Sequence, residues 1–162
     1  MAGAARRLSV REFFKAWLLC GALDALYATG LTFARGGEAA VTWRGVAAGP
    51  LGDAAQQWGA GGVFAGLLVH FAIMAAMTAV ALALFRRTPL ADAKPWLAGT
   101  LYGLALYGAM YGLVLPARFG APFPNPDKLK LALGLIPHVL LVGIPMALIL
   151  RRPTRQSTLR SA

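Results

Sequence analysis

The stretch Gly61–Phe85, GGVFAGLLVHFAIMAAMTAVALALF, decides the fold. It contains no Asp, Glu, Lys or Arg, and its one ionisable side chain is His70. A helix needs about 20 predominantly apolar residues to cross roughly 30 Å of hydrocarbon, and this run exceeds that length. Phe13–Ala34, Trp96–Ala117 and Leu129–Leu150 read the same way. Of the 162 residues, 58% are hydrophobic and only 14% charged, a balance wrong for a soluble domain and explained by these four runs. The predicted fold is an all-α membrane protein. A four-transmembrane-helix bundle forms one domain over residues 1–152, followed by a basic tail, 153–162.

The net charge of +10 could point to nucleic acid, but its placement points to a membrane instead. Arg6, Arg7, Arg11 and Lys15 lie before or at the very start of the first run; Arg86, Arg87 and Lys94 lie between the second and third; Arg151, Arg152, Arg155 and Arg160 follow the fourth. These outnumber Arg35, Arg44, Arg118, Lys128 and Lys130 at the other ends of the runs. The positive-inside rule then places both termini in the cytoplasm of a multi-pass protein, in a bacterial inner membrane. The expected surroundings are a lipid bilayer and no nucleic acid. The first run is too long for a signal h-region and carries Asp24 at its centre, so it reads as a retained helix despite the weak small-residue site Thr32-Phe33-Ala34. Cys20 is the only cysteine, which excludes an intramolecular disulfide and any CxxC chemistry.

Away from Lys15 and Lys130 at their ends, three of the four runs each hold one ionisable Asp or His deep inside: Asp24, His70 and His138. Such groups are costly in a bilayer, face a protein interior, and mark function. The third run carries Tyr102, Tyr107 and Tyr111 instead. Tyr107 and Tyr111, four apart, share a helix face, and Tyr102 lies away from it. With helices alternating in direction, Asp24, His70, Tyr107 and His138 fall roughly 12–15 Å below the outer edge of the bundle. Asp24, His70, Tyr107, Tyr111 and His138 are therefore the candidate ligand or polar-network residues.

Several chemistries fit that set. Two facing imidazoles, His70 and His138, can ligate a haem b iron. With Asp24 they make a two-histidine, one-carboxylate set suited to a transition metal. An Asp–His hydrogen bond can hold or pass a proton. A lipid, quinone or other small molecule can occupy a pocket among them, or the residues can form a purely structural network. No HExxH motif, phosphate loop, nucleophile elbow or catalytic triad is present, so no catalytic residue is assigned.

The connections complete the outline. Arg35–Ala60 is the longest, broken by Gly36-Gly37 and Gly49-Pro50. Val41, Trp43, Val46 and Ala47 suggest a short amphipathic helix on the outer surface, and Leu51–Trp58 a second such element, as a cap or a lid. The turn through Pro89 and Lys94-Pro95 is short enough to predict that the second and third spans are antiparallel neighbours. Gly62/Gly66, Gly99/Gly103 and Gly108/Gly112 are small-xxx-small pairs expected to bring helices together, within the chain or against a partner. Pro137 and Pro145 should bend the fourth helix.

Asp24-Ala25-Leu26-Tyr27, Val69-His70-Phe71, Leu115-Pro116, Pro137-His138, Gly143-Ile144-Pro145 and Arg151-Arg152 together resemble a group of small bacterial four-helix inner-membrane proteins. The resemblance implies the four-span architecture and carries no assigned activity. The function expected is that of a small, non-enzymatic integral membrane protein whose buried Asp/His/Tyr site binds a small molecule or lipid. Two alternatives stand beside it. One is an accessory subunit, meeting a membrane-protein partner or further copies of itself. The other is a haem- or metal-binding redox protein using His70 and His138.

Overall fold

Where the apolar sequence lacks proline it forms unbroken helix; where proline interrupts it, the helix widens. The computed structural model describes residues 2–91 and 93–150; the 153–162 tail with its arginines, and the side chains of Arg6 and Arg7, lie outside that description. Helices α1 (Ala2–Ala34) and α3 (Gly59–Arg87) are continuous. Between them α2 (Ala39–Leu51) and a 3₁₀ turn, Asp53–Gln57, occupy the long connection. The last two helices are α4 (Pro95–Phe119) and α5 (Lys128–Leu150). All secondary structure among the described residues is helical.

Helices α4 and α5 each contain a π turn, at Met110–Val114 and Pro137–Gly143. The cause is in the sequence. Pro116, Pro137 and Pro145 have no N–H to give to the carbonyl four residues earlier, and their rings crowd that carbonyl. Widening the ladder to i→i+5 relieves the crowding. Asp127 caps α5, its Oδ1 accepting from Leu129 N at 2.9 Å and Lys130 N at 3.2 Å. Gly36 (φ 72°) and Gly120 (φ 64°) end α1 and α4 in the left-handed conformation that a side chain disfavours.

Four helical segments, Val10–Ala34, Gly59–Arg87, Pro95–Phe119 and Lys128–Leu150, are long and apolar enough to cross a membrane. Large apolar side chains line the exterior, among them Leu26, Phe64, Leu113, Leu140 and Leu148, each more than half exposed. In water this surface would be a severe liability; in lipid it is the solvated face.

The start of α1, the end of α3, the start of α4 and the end of α5 gather at one end of the bundle, here the terminal end. The other is the α2 end. The fully buried core, built on Cys20, Ala81, Phe85, Met146 and Leu150, sits toward the terminal end. Lipid gives apolar helices no hydrophobic reason to associate, so close contact supplies the attraction. Gly99 and Gly103 lie directly against the α5 backbone: a Cβ there would come within 2.5 Å of Ile144 Cα and His138 O respectively. Gly143 answers from α5, where a Cβ would collide with Gly99 O. A clasp closes this end, Arg86 pairing with Glu12 of α1 and donating from Nε to Leu150 O of α5 at 3.2 Å.

Two expectations change and a third gains its partner. The short link does not pack α3 and α4 closely along their length: they meet through side chains near the link, at Phe85, Met77 and Tyr102, while the close backbone packing of α4 is on α5 and that of α3 on α2 and α1. Gly62 and Gly66 do permit a close approach, and what approaches is the connection: an added Cβ at Gly62 would lie 2.6 Å from Ala55 O of the 3₁₀ turn, and one at Gly66 would collide with Trp43 O of α2. Gly108 packs on nothing, with no atom within 4 Å of where its Cβ would stand, and Gly112 meets only the Phe123 ring, at 3.1 Å.

The predicted amphipathic helix is present as α2, but it is not merely laid on the surface. Trp43, Ala47 and Ala48 are buried. The helix crosses the end of the bundle, joined to α1 by Thr32 Oγ1···Thr42 Oγ1 at 2.8 Å, to α3 through the glycine contacts, and to α4 through Arg118.

A buried polar cavity under α2

Asp24, His70, Tyr111 and His138 line a single cavity of about 240 Å³, with Thr42 and Trp43 of α2 on one side and Met74, Met77, Met110 and Val142 completing it. Each comes from a different element; of the four residues expected at one depth, Asp24, His70 and His138 line the cavity and Tyr107 does not. The two π turns frame the site: Met110 and Tyr111 lie in that of α4, His138 and Val142 in that of α5. Such turns frequently occur at functional sites because they re-aim side chains.

Backbone carbonyls fix both imidazoles. His70 Nε2 lies 2.9 Å from Gly21 O, and His138 Nδ1 lies 2.8 Å from Gly134 O. A carbonyl oxygen can only accept, so both of these nitrogens carry hydrogen. In the neutral rings the opposite nitrogens, His70 Nδ1 and His138 Nε2, are then acceptors. His70 Nδ1 stands 3.9 Å from Asp24 Oδ2, too far for a hydrogen bond. Trp43 meets the His70 ring edge-on at 5.4 Å, and Tyr111 meets that of His138 at 5.7 Å.

Pro137 explains a second anchor. It leaves Leu133 O without its helical donor, and the Tyr27 hydroxyl of α1 supplies one at 2.9 Å. This ties α1 to α5 beside the site. Gly134, next along, is small enough for the Tyr111 ring to lie over it; a Cβ would be 2.8 Å from Tyr111 Cζ.

A second cavity of about 390 Å³ shares Asp24, Ala28, Thr42, Tyr111 and His138 with the first. It extends past Tyr27 and Thr32 to Arg35, Asn125 and Lys130 at the α2 end. Polar groups thus mark a path from that end to Asp24.

Tyr107 does not line either cavity. It stacks on Tyr111, ring centroids 4.6 Å apart, and its buried hydroxyl has no hydrogen-bond partner. Tyr102 belongs to the packed core, donating to Met77 O at 2.6 Å. Among the described residues no group of three or more His, Cys, Asp or Glu side chains is placed to hold a metal ion. The haem arrangement needs the two rings to face each other across a macrocycle. The cavity they share is below the ~300–1,000 Å³ typical of small-molecule pockets.

Sequence reasoning passed over Tyr27, Thr42 and Trp43 as site residues. Trp43, in a predicted surface helix, was the available signal: a large ring there buries itself only if something beneath admits it. The chain matches no known protein-family model, no curated protein and no solved structure. Its function is therefore read from the site.

Proposed function

We propose that this is a small, non-enzymatic, multi-pass protein of a bacterial inner membrane, with both termini in the cytoplasm, and that the cavity under α2 is its working part. The cavity binds a small hydrogen-bond-donating molecule. One observation carries this reading: each histidine has one nitrogen tied to a backbone carbonyl, leaving His70 Nδ1 and His138 Nε2 as acceptors on the cavity that Asp24 also lines. Three acceptors held by three helices form a recognition surface for N–H or O–H groups. The 390 Å³ cavity gives such a molecule a route from the α2 end. The excess of basic residues in the sequence before the first apolar run, between the second and third and after the fourth supports the orientation.

The accessory-subunit reading loses its strongest support, because Gly62, Gly66, Gly99 and Gly103 are already covered within the chain. The binding reading is tested by ¹⁵N-imidazole NMR of purified protein titrated with small primary amines and alcohols. The expected result is the two tautomers named above, with saturable shifts at His70 Nδ1 and His138 Nε2 that Asp24→Asn abolishes. Opposite tautomers, or shifts indifferent to Asp24→Asn, would overturn the reading.

A further inference from the structure

Because α4 packs on α5 and α3 on α1 and α2, a wedge is left between α3 and α4. It is a groove of about 820 Å³, within the ~300–1,000 Å³ that accommodates small molecules. Ala72, Ile73 and Ala76 of α3 face Met110, Val114 and Leu115 of α4 across it, and its one charged lining residue is Arg118. Arg118 lies in the last turn of α4, and Met110 is eight positions earlier, so the groove runs about 12 Å along α4 from Arg118 toward the bilayer centre.

Arg118 is held rigidly. Its Nε donates to Gly49 O at 2.8 Å, and its Nη2 to Ala48 O at 2.9 Å and Asp53 Oδ1 at 2.6 Å. Those bonds leave both N–H groups of Nη1 uncommitted. Asp53 is 75% exposed. A guanidinium with free donors thus sits beside an exposed carboxylate at the α2 end of an apolar furrow.

We propose that the α2–α3–α4 groove binds one phospholipid bearing an ammonium headgroup, phosphatidylethanolamine in chemical class. The acyl chain lies along Ala72, Ala76 and Met110; the phosphate bonds Arg118, and the ammonium bonds Asp53. The paired opposite charges complement a zwitterion. The carboxylate favours a primary ammonium, which has N–H groups to donate, over a choline, which has none. A second negative headgroup charge would be repelled by Asp53. The proposal rests on the membrane placement above and is independent of the polar cavity.

Native mass spectrometry of the detergent-purified protein, with synthetic phosphatidylethanolamine, phosphatidylcholine and phosphatidylglycerol added in competition, tests it. One retained phosphatidylethanolamine per chain is expected, preferred about tenfold, as one charge-assisted hydrogen bond would give. Ala72→Phe with Ala76→Phe, which fills the furrow, should remove the retained lipid while helical circular dichroism is unchanged. Asp53→Lys, on an exposed side chain, should reverse the preference toward phosphatidylglycerol, a gain that misfolding cannot imitate. Equal retention of the three lipids, retention by the filled variant, or an unchanged preference in Asp53→Lys would each overturn the proposal. Resistance of the protein to alkaline extraction from membranes checks placement separately.

Discussion

The two halves of this bundle are built from the same apolar residue types but to opposite ends. Toward the terminal end, backbone touches backbone at Gly99 and Gly143, Phe85 and Tyr102 interlock edge-to-face at 5.5 Å, and polar atoms are few and bonded. Toward the α2 end, prolines widen two helices, aromatic rings lie over glycines, and several cavities remain. The lesson concerns what holds a membrane protein open. With no hydrophobic drive between helices in lipid, a cavity survives only if the helices around it are held together elsewhere. The dry half supplies that hold, and α2 braces the open half from its end.

The largest effect should come from breaking the dry half. Gly143→Val places a branched side chain against Gly99 O, which is backbone and cannot yield, so α4 and α5 must part. The expected loss is on the order of 4 kcal/mol or more, as for severe core overpacking. A thermal melt in mild detergent should show little folded protein.

Gly66→Val is the counterpart in the open half. Its side chain collides with Trp43 O, but what it displaces is α2, not a spanning helix. The bundle should keep its helical content while the roof lifts from His70. Limited proteolysis should then cut within Ala39–Leu51, where the parent chain resists. A global loss of stability as large as that of Gly143→Val would show that the halves are not separable.

This contrast also shows how much was legible. Four spans, and the meeting of Asp24, His70 and His138, follow from length and alternation, since both are properties of straight helices in a slab. The order of helix packing does not follow. A small-xxx-small pair advertises a close approach without naming who approaches, so Gly62/Gly66 announced a contact whose partner, α2, only the fold supplies. Link length misled for a related reason: a short turn joins the ends of α3 and α4, yet the glycine contacts with α5 decide where α4 runs. The tautomers of His70 and His138 rest on Gly21 O and Gly134 O, backbone atoms that no side-chain pattern reveals. Arg118 looked like one more loop charge because its partners, Ala48 O and Gly49 O, lie far away in sequence.

Gly108→Ala should run the other way. Nothing lies within 4 Å of the added methyl, and a mid-helix glycine is about 0.5–1 kcal/mol worse than alanine. The melt should rise slightly. A fall would mean that the open side of Gly108 is covered in the membrane.

The smallest effects make the sharpest comparison, because one substitution is applied to two tyrosines of the same helix. Tyr102, in the dry half, donates to Met77 O at 2.6 Å. Tyr102→Phe should cost about 0.6 kcal/mol, the average of interhelical hydrogen bonds in membranes. Tyr107, beside the cavities, has a buried hydroxyl with no partner. Leaving such a group unmade costs about 1–3 kcal/mol, so Tyr107→Phe should stabilise the purified protein. The two melts should therefore shift in opposite directions. If Tyr107→Phe instead destabilised protein in native membranes while stabilising it in detergent, its hydroxyl would have a partner that purification removes. The open half would then be open for an occupant, which the dry half has no room to take.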